Sequence, residues 1–471
     1  MVKGGIEGGK QRIADLEKEI ARRNRWIDQR DRRIEKLEHE IERLRRENEK
    51  LQQAGKRQAA PFSKGEPKRN PKRRGRKSGK RYGKRAGRPV PRRVDRIVEV
   101  AAPLYCPDCQ KRTKLDRRET HWQTDIPPIE PETIEFRVDV GRCVNCGRTV
   151  RSRHAEEISE ATGAAGVQFG PRLIALAATL NKECGVSYER IARLLGAMFG
   201  LQVNRSTLNR AVMRLAEIVD PLAEKIGRRV RDGPMLSPDE TGWKVGGERA
   251  WLHVAATRED SYYMITRGRG TREATALIGI DYSGQIVRDG HPSYRVFAKA
   301  KSQTCLAHLL RRIDGLLQLY KTPRTENWLQ GLKRVLKRSI SISQRRDAAE
   351  IGPHGLMVAI GKAESDVDRL LRVTPRAVEV KRLARHLRRE RSALFTFLYH
   401  DATPATNYLA EQALRPAVVN RKMSAGNNTP RGAKAQATLM TVLHSARKRS
   451  ADTIALVVDA LQNPTAVQRL L

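Results

Sequence analysis

Ser237-Pro238-Asp239-Glu240-Thr241-Gly242-Trp243, running on through Val245 and Gly247 to Trp251-Leu252-His253-Val254, is the stretch that decides how this chain reads. An acidic pair sits at the mouth of what reads as a buried strand, a turn follows, and a second strand returns. A carboxylate held rigidly at the mouth of a buried strand can present a divalent cation to a phosphodiester. The charge of the chain fits that chemistry. It has 471 residues, 93 basic against 53 acidic, a formal net charge of +40 and a pI near 10.7, which implies a polyanionic partner.

Outward from Met235 three strand-like runs follow: 235–245, 250–257 and 261–267, with turns at Gly246-Gly247 and Glu259-Asp260. A helical segment, Thr271–Ile278, leads to a strand end at Gly284-Gln285-Ile286-Val287-Arg288-Asp289-Gly290. A further strand is expected around Gln303–Cys305, then a helix from His308 to Leu319. Three strands, a helix, a strand and a helix form the ground plan of a ribonuclease-H-like core, in which the first and fourth strands lie side by side. Asp289 at the end of an apolar strand is therefore the natural partner of Asp239, although Asp-Gly also suits a hairpin turn. Strand alternation turns Glu240 to the opposite face from Asp239. Asp281 begins a turn and does not end a strand.

Upstream, residues 168–216 have helical periodicity. Val186–Leu195 reads as one amphipathic helix, Gly200–Asn204 as a break, and Arg205–Val212 as the start of another, with Asn204 or Ser206 as its cap. Two short helices about a glycine turn suit a helix-turn-helix offering Arg205, Asn209 and Arg210 to a DNA groove; an ordinary helical hairpin has the same pattern. Before it, Cys106-Pro107-Asp108-Cys109 and Cys143-Val144-Asn145-Cys146 are separated by 33 residues. Two such knuckles supply four thiolates for a structural Zn²⁺ with no open position for catalysis. Glu130–Val140 alternates like a strand between them, so a zinc ribbon with a long hairpin is expected. Cys184 and Cys305 read as buried or local-structure cysteines.

The first 53 residues hold 15 basic and 12 acidic side chains. Ile13, Ile20, Ile27, Ile34, Ile41 and Asn48 fall at heptad a, and Leu16, Arg23, Arg30, Leu37, Leu44 and Leu51 at d. Ile at a with Leu at d favours a parallel two-stranded coiled coil; a single helix packed on its own protein is the other reading. Residues 54–93 hold 17 basic residues and one acidic one, Glu66. This Gly- and Pro-dotted segment reads as a flexible linker gathering non-specific phosphate contacts. No apolar run of membrane-spanning length and no signal-peptide core is present, so a cytoplasmic, nucleoid-associated protein with no membrane partner is expected.

Several longer motifs carry a family resemblance. Asp239-Glu240-Thr241-Gly242-Trp243 with Gly247 and Trp251-Leu252-His253 is one; Asp289-Gly290-His291-Pro292-Ser293-Tyr294 is another. Cys305-Leu306-Ala307-His308-Leu309-Leu310-Arg311-Arg312, and Asn407-Tyr408-Leu409-Ala410-Glu411-Gln412-Ala413-Leu414-Arg415-Pro416 with Asn420-Arg421-Lys422, complete the set. Together they resemble the insertion sequence 66 family of bacterial DDE transposases over essentially the whole chain. The resemblance implies metal-binding Asp239, Asp289 and Glu411, with Mg²⁺ (Mn²⁺ can substitute) driving 3′-end cleavage at transposon termini and strand transfer into target DNA. Without it, Glu364, Glu379, Glu390 and Glu411 compete equally for the third acid. It also implies Cys305 and His308 as active-site accessories, and Arg415, Arg421 and Lys422 as DNA contacts. The partners implied are double-stranded DNA, a second copy of the chain in a homodimer or higher synaptic oligomer, and element-encoded helper proteins. Two positions depart from the family pattern: Gln412 follows the glutamate, and Tyr408 stands where a second asparagine is usual. The alternative is a catalytically silent DNA-binding regulator; a nuclease without strand transfer shares the metal chemistry.

The expected architecture is a multidomain α/β chain: a coiled coil at 1–53, a basic linker at 54–98, a zinc ribbon at 99–155 and a helix-turn-helix-like domain at 160–232. A ribonuclease-H-like catalytic part follows at 233–320, then an α-helical insertion at 321–400, and the third acid with a tail at 401–471.

Overall fold

A computed structural model describes residues 90–154, 156–158, 168–373 and 375–471, and residues 16–44 apart from 17, 28, 31, 32, 36, 41 and 42. The chain divides into two units, Met1–Thr124 and Asp125–Leu471. Of the linker expected at 54–98, residues 54–89 lie outside the described residues.

In the first unit, the described residues between 16 and 44 are helical. Their heptad positions Leu16, Ile20, Ile27, Ile34, Leu37 and Leu44 are all exposed; Ile13, Ile41, Asn48 and Leu51 lie outside the described residues. The Cys106–Cys109 turn closes through Cys106 N–H to the Lys111 carbonyl at 2.8 Å and Gln110 N–H to the Cys106 carbonyl at 2.9 Å.

In the second unit, β1 (Val140–Arg142) pairs antiparallel with β2 (Thr149–Arg151) across the Cys143–Cys146 turn. This corrects the strand expected at Glu130–Val140: of those residues only Val140 is in a strand, because Ile134 and Phe136 stay exposed with no sheet to pack on.

The main sheet contains β3 (Met235–Val245), β4 (Glu248–Ala256), β5 (Ser261–Thr266), β6 (Gln285–Arg288) and β7 (Lys301–Thr304), in the order β5-β4-β3-β6-β7. The first three form an antiparallel meander, while β6 and β7 join in parallel beside β3. Period-2 alternation sends its side chains to two separate cores. Leu236, Ala255 and Ile286 join the core built by α1 (Pro171–Lys182), α2 (Tyr188–Phe199) and α3 (Arg205–Asp232). That core also takes in α4 (Thr271–Ile278). Met235, Trp243, Val254 and Val287 face the other way.

A third core belongs to α5 (Leu306–Leu319), α6 (Pro323–Asp347), α7 (Pro353–Arg372), α8 (Val378–Arg389) and α9 (Thr396–Tyr399). The chain then returns to the sheet as α10 (Tyr408–Ser424), whose Leu409, Ala410, Ala413 and Ala417 cover the Met235 face. Two last helices follow, α11 (Pro430–Lys448) and α12 (Thr453–Gln462). The 3.6-residue stripe of α10 thus sets Glu411, in its first turn, over the face that carries the odd-numbered residues of β3.

The helix after Gly200 is not short. Gly200 ends α2 with φ +66°, Asn204 caps α3 by accepting the Ser206 N–H, and α3 then runs for 28 residues. It buries one stripe along its whole length, from Leu208, Ala211 and Val212 in the first turns to Val230, while Arg205, Asn209 and Arg210 stay exposed.

Candidate active site

The site grows from a split in the sheet. The parallel pairing of β3 with β6 covers only Met235–Gln285 and Leu236–Ile286, whereas β3 stays paired with β4 through Val245. Pro238 accounts for the split. In a strand, a residue's N–H and C=O point to the same neighbour, and proline has no N–H to give. Its carbonyl is taken instead by Asn407 Nδ2 at 2.8 Å. Asp239 is therefore not at the end of its strand, as the sequence suggested, but within it; the mouth is made where β6 departs.

Asp239 lies three residues beyond Leu236, and Asp289 three beyond its partner Ile286. The two acids flank the split symmetrically, and both continue the alternation that faces α10. Asp289 also serves the turn, its Oδ1 accepting the His291 N–H at 2.8 Å, so the strand-end and turn readings hold together. Glu411 is half-buried, and its Oε1 receives Arg311 Nη2 at 2.7 Å. The same guanidinium stands 3.3 Å from His308 Nε2.

Electrostatics tie the acids into one set. Burial pushes the Asp239 carboxyl up to about 7; the charges of Glu240, Asp289 and Glu411 add to this, against a hydrogen bond from the Glu240 N–H. Burial and Arg311 hold His308 below the usual imidazole range, against the charges of Asp289 and Glu411. Its Nδ1 is buried without a partner. Among the described residues no group of three or more His, Cys, Asp or Glu side chains stands close enough to hold a metal ion; in this structure Glu411 is turned to Arg311.

Glu240 is buried on the opposite face, with Oε1 2.6 Å from Arg269 Nε and Oε2 2.5 Å from the Tyr294 hydroxyl. Both carboxylate oxygens are engaged, which removes Glu240 from the Asp239 side. The other competing acids are also occupied. Asp281 pairs with Lys299 on the surface, Glu364 with Tyr399 and Arg391, and Glu379 with Tyr320. Glu390 is 2% exposed and meets Arg288 at 2.6 Å, Arg295 at 3.1 Å and the Thr304 hydroxyl at 3.2 Å. Arg288 precedes Asp289, so this buried ion network anchors the strand that carries the second acid. No local signal in the sequence marks it, since its members lie up to 102 positions apart.

Cys305 is buried, caps α5 and accepts the Asn407 N–H at 3.2 Å on its sulfur. Burial pushes its thiol up, so it acts as a joint between α5 and α10. Cys184 is exposed, which leaves only the local-structure half of the expectation for it. Asn407 thus grips both Pro238 and Cys305 immediately before Glu411's helix, which the sequence offered only as a motif residue. Arg415 and Lys422 are exposed. Arg421 is turned into the fold: its guanidinium donates to Thr241 Oγ1 at 2.9 Å and to the Gly242 carbonyl at 2.5 Å, fastening α10 to β3 where a DNA contact was expected. Arg205, Asn209 and Arg210 are exposed on the first turns of α3, with Arg205 3.8 Å from Glu189.

The sequence profile of the transposase IS66 family matches residues 166–435, which take in all of these acids. The chain belongs to the IS66 transposase family. Two relatives from Sinorhizobium fredii are similar to it, both named only as uncharacterized proteins. One, y4qI, is 24% identical over 299 residues, covering 54% of this chain and 52% of its own. The other, y4jD, is 21% identical over 298 residues, covering 56% and 57%. The chain spans about half the length of the curated relatives it matches. Among the described residues no helix is long and apolar enough to cross a membrane.

Proposed function

We propose that this IS66-family chain is a DNA transposase with a ribonuclease-H-like core, cutting 3′ ends at the terminal inverted repeats of an insertion sequence and joining them to target DNA. The observation that carries the reading is the placement of Asp239, Asp289 and Glu411 on one face of the β3–β6 split, where the charges of the latter two raise the first. That set fits a hard divalent cation. All of its donors are carboxylate oxygens, and Arg311 is the cation that meets Glu411 in this structure. Asp239, Asp289 and Glu411 would hold Mg²⁺, which when bound neutralises phosphate charge and lowers the pKa of the attacking hydroxyl.

The chain's own residues do the positioning. Asn407 and Arg421 fix α10 against β3, and the Glu390 network fixes the end of β6. Arg311, 62% exposed, covers Glu411 and is placed to turn toward a phosphate. Arg205, Asn209 and Arg210 present polar donors at the start of α3 for a groove, and Arg415 and Lys422 flank the acids for backbone contacts.

The exposed heptad face at 16–44 supports a homodimer, since a Leu/Ile stripe left bare on one helix is covered by a second copy. Each Cys-x-x-Cys turn, Cys106–Cys109 in one unit and Cys143–Cys146 in the other, is by itself of the kind that offers two thiolates to a structural Zn²⁺. Cys143 N–H reaches the Arg148 carbonyl at 2.8 Å, as Cys106 does that of Lys111. Backbone N–H groups of Cys109 and Asp108 draw the Cys106 thiol down, and those of Cys146 and Asn145 do so for Cys143, favouring the thiolate form that binds metal.

The test is strand cleavage and joining on DNA carrying the element's own ends, with Mg²⁺, beside Asp239→Ala. Wild-type protein yields nicked ends and joined products, and the variant yields neither. Equal activity in the variant, or DNA binding without cleavage in the wild type, would favour the silent regulator.

A further inference from the structure

Helix α8, Val378–Arg389, buries Val380, Leu383, Ala384 and Leu387 at helical spacing. Its other faces carry Arg382, Arg385 and Arg389, all exposed. With Arg312 of α5, His386 and Arg388, they line a cavity of about 650 Å³ that has no acidic residue on its walls. Glu390 is engaged with Arg288 and Arg295, Asp366 with Arg338 and Asp368 with Arg391. Glu379, on α8 itself, accepts from the Tyr320 hydroxyl and feels the charge of Arg382, though it does not line the cavity. Among the described residues, Arg312, Arg382, Arg385 and Arg389 have no ion-pair partner. Cations facing one another without counter-charge weaken the fold that holds them. Burial and the charge of Arg382 draw the Arg312 guanidinium down, and burial with Arg312, Arg295 and Arg389 does so for His386 against Glu390.

The cavity adjoins the acidic site on two sides. A Cβ at Gly290, the residue after Asp289, would lie 2.9 Å from His386 Cε1. Arg312 follows His308 by one helical turn, and His308 feels the charges of Asp289 and Glu411. From Arg382 to Arg389 the helix rises about 10 Å, while a DNA strand carries one charge per about 3.4 Å. A row of three guanidiniums over that length faces more than one phosphate of a duplex, which a single small anion does not offer.

We propose that the arginine-lined cleft between α5 and α8 holds the phosphate backbone of the DNA duplex entering the Asp239–Asp289–Glu411 site. The cleft makes the helical segment 321–400 a substrate-binding part of the enzyme, with backbone contacts that carry no sequence preference. This inference rests on the transposase reading, and the two are separable by experiment.

The full chain is titrated with a fluorescent duplex, by anisotropy, over salt from about 100 to 400 mM, where the slope of log affinity against log salt counts the phosphates neutralised. In R382A/R385A/R389A the slope falls by about 2.7, at about 0.9 per lost contact, and binding weakens equally for related and unrelated sequences. R382K/R385K/R389K keeps the wild-type slope, as does R334A/K337A, which removes exposed charge outside the cleft. None of the variants melts below the wild type, because the altered side chains are exposed and the alanine changes relieve repulsion between cations. An unchanged slope in the triple alanine variant, or an equal drop in R334A/K337A, overturns the proposal. Asp239→Ala keeps the full slope even when cleavage is lost, so failure of the chemistry and failure of the cleft give different results.

Discussion

The buried acid Glu390 offers the sharpest test of how the second catalytic strand is held. Its side chain is 2% exposed and that of Arg288 is 6% exposed, 2.6 Å apart. Replacing Glu390 with alanine leaves the Arg288 guanidinium desolvated and without a carboxylate, its one other bond a long one of 3.4 Å to Ser302 Oγ. Breaking one partner of a buried pair costs about 3–5 kcal/mol, whereas the pair itself is worth little over apolar residues of the same volume. Arg295 adds little to this figure, because its side chain is 35% exposed and can return to water. Glu390→Ala is therefore expected to lose about 3–5 kcal/mol, and Arg288→Met less, because Arg295 and the Thr304 hydroxyl still meet the acid. The double variant R288M/E390L should recover most of the loss, giving a coupling energy of about 2 kcal/mol or more. Urea unfolding followed by tryptophan fluorescence supplies the midpoints, compared within one transition because the chain has two units. The reasoning is refuted if Glu390→Ala costs under about 1 kcal/mol, or if the losses in the double variant simply add.

Two further outcomes follow from particular contacts. Asn407→Ala removes the side-chain bond to the Pro238 carbonyl across the split, at a cost of about 1–3 kcal/mol. Because it loosens Glu411's helix relative to Asp239, strand cleavage should show a kcat about tenfold lower with KM for DNA unchanged; a rise in KM alone would contradict a positioning role. Asp260 is held below the usual carboxylate range: burial works against this, but hydrogen bonds from Arg449 and Arg229 outweigh it. A depressed folded pKa gives stability that is present above the unfolded value of about 3.9 and is lost as pH falls through the folded one. Asp260→Asn should thus lower urea midpoints at neutral pH and flatten their acid limb below about pH 4; parallel curves for the two proteins would count against the linkage.

Much of the sheet was legible because its determinants are local. The runs at 235–245 and 261–267, the Gly246-Gly247 turn and the helix at Thr271–Ile278 each carry their pattern within a dozen residues, and the structure places elements there. Asp239 and Asp289 were legible for the same reason, as acids at fixed offsets in apolar strands. Glu411 was not. Its helix is only weakly amphipathic, 121 residues lie between it and Asp289, and three other helical glutamates competed with it. What separates them physically is position: Glu364, Glu379 and Glu390 are bonded to partners within or beside the helical segment, while Glu411, though paired with Arg311, stands where its charge reaches Asp239. Such long-range pairing has no period to read. The one local clue that went unused was Pro238. A proline inside a strand predicts that one neighbour must leave, and here that departure opens the space between β3 and β6. The same residue that interrupts the ladder exposes the carbonyl that Asn407 takes, and so brings α10 back over the gap with Glu411 in its first turn. The sheet's defect and the third acid are two ends of one contact, which is why the sequence around Asp239 could show an acid at a strand mouth without showing what faces it.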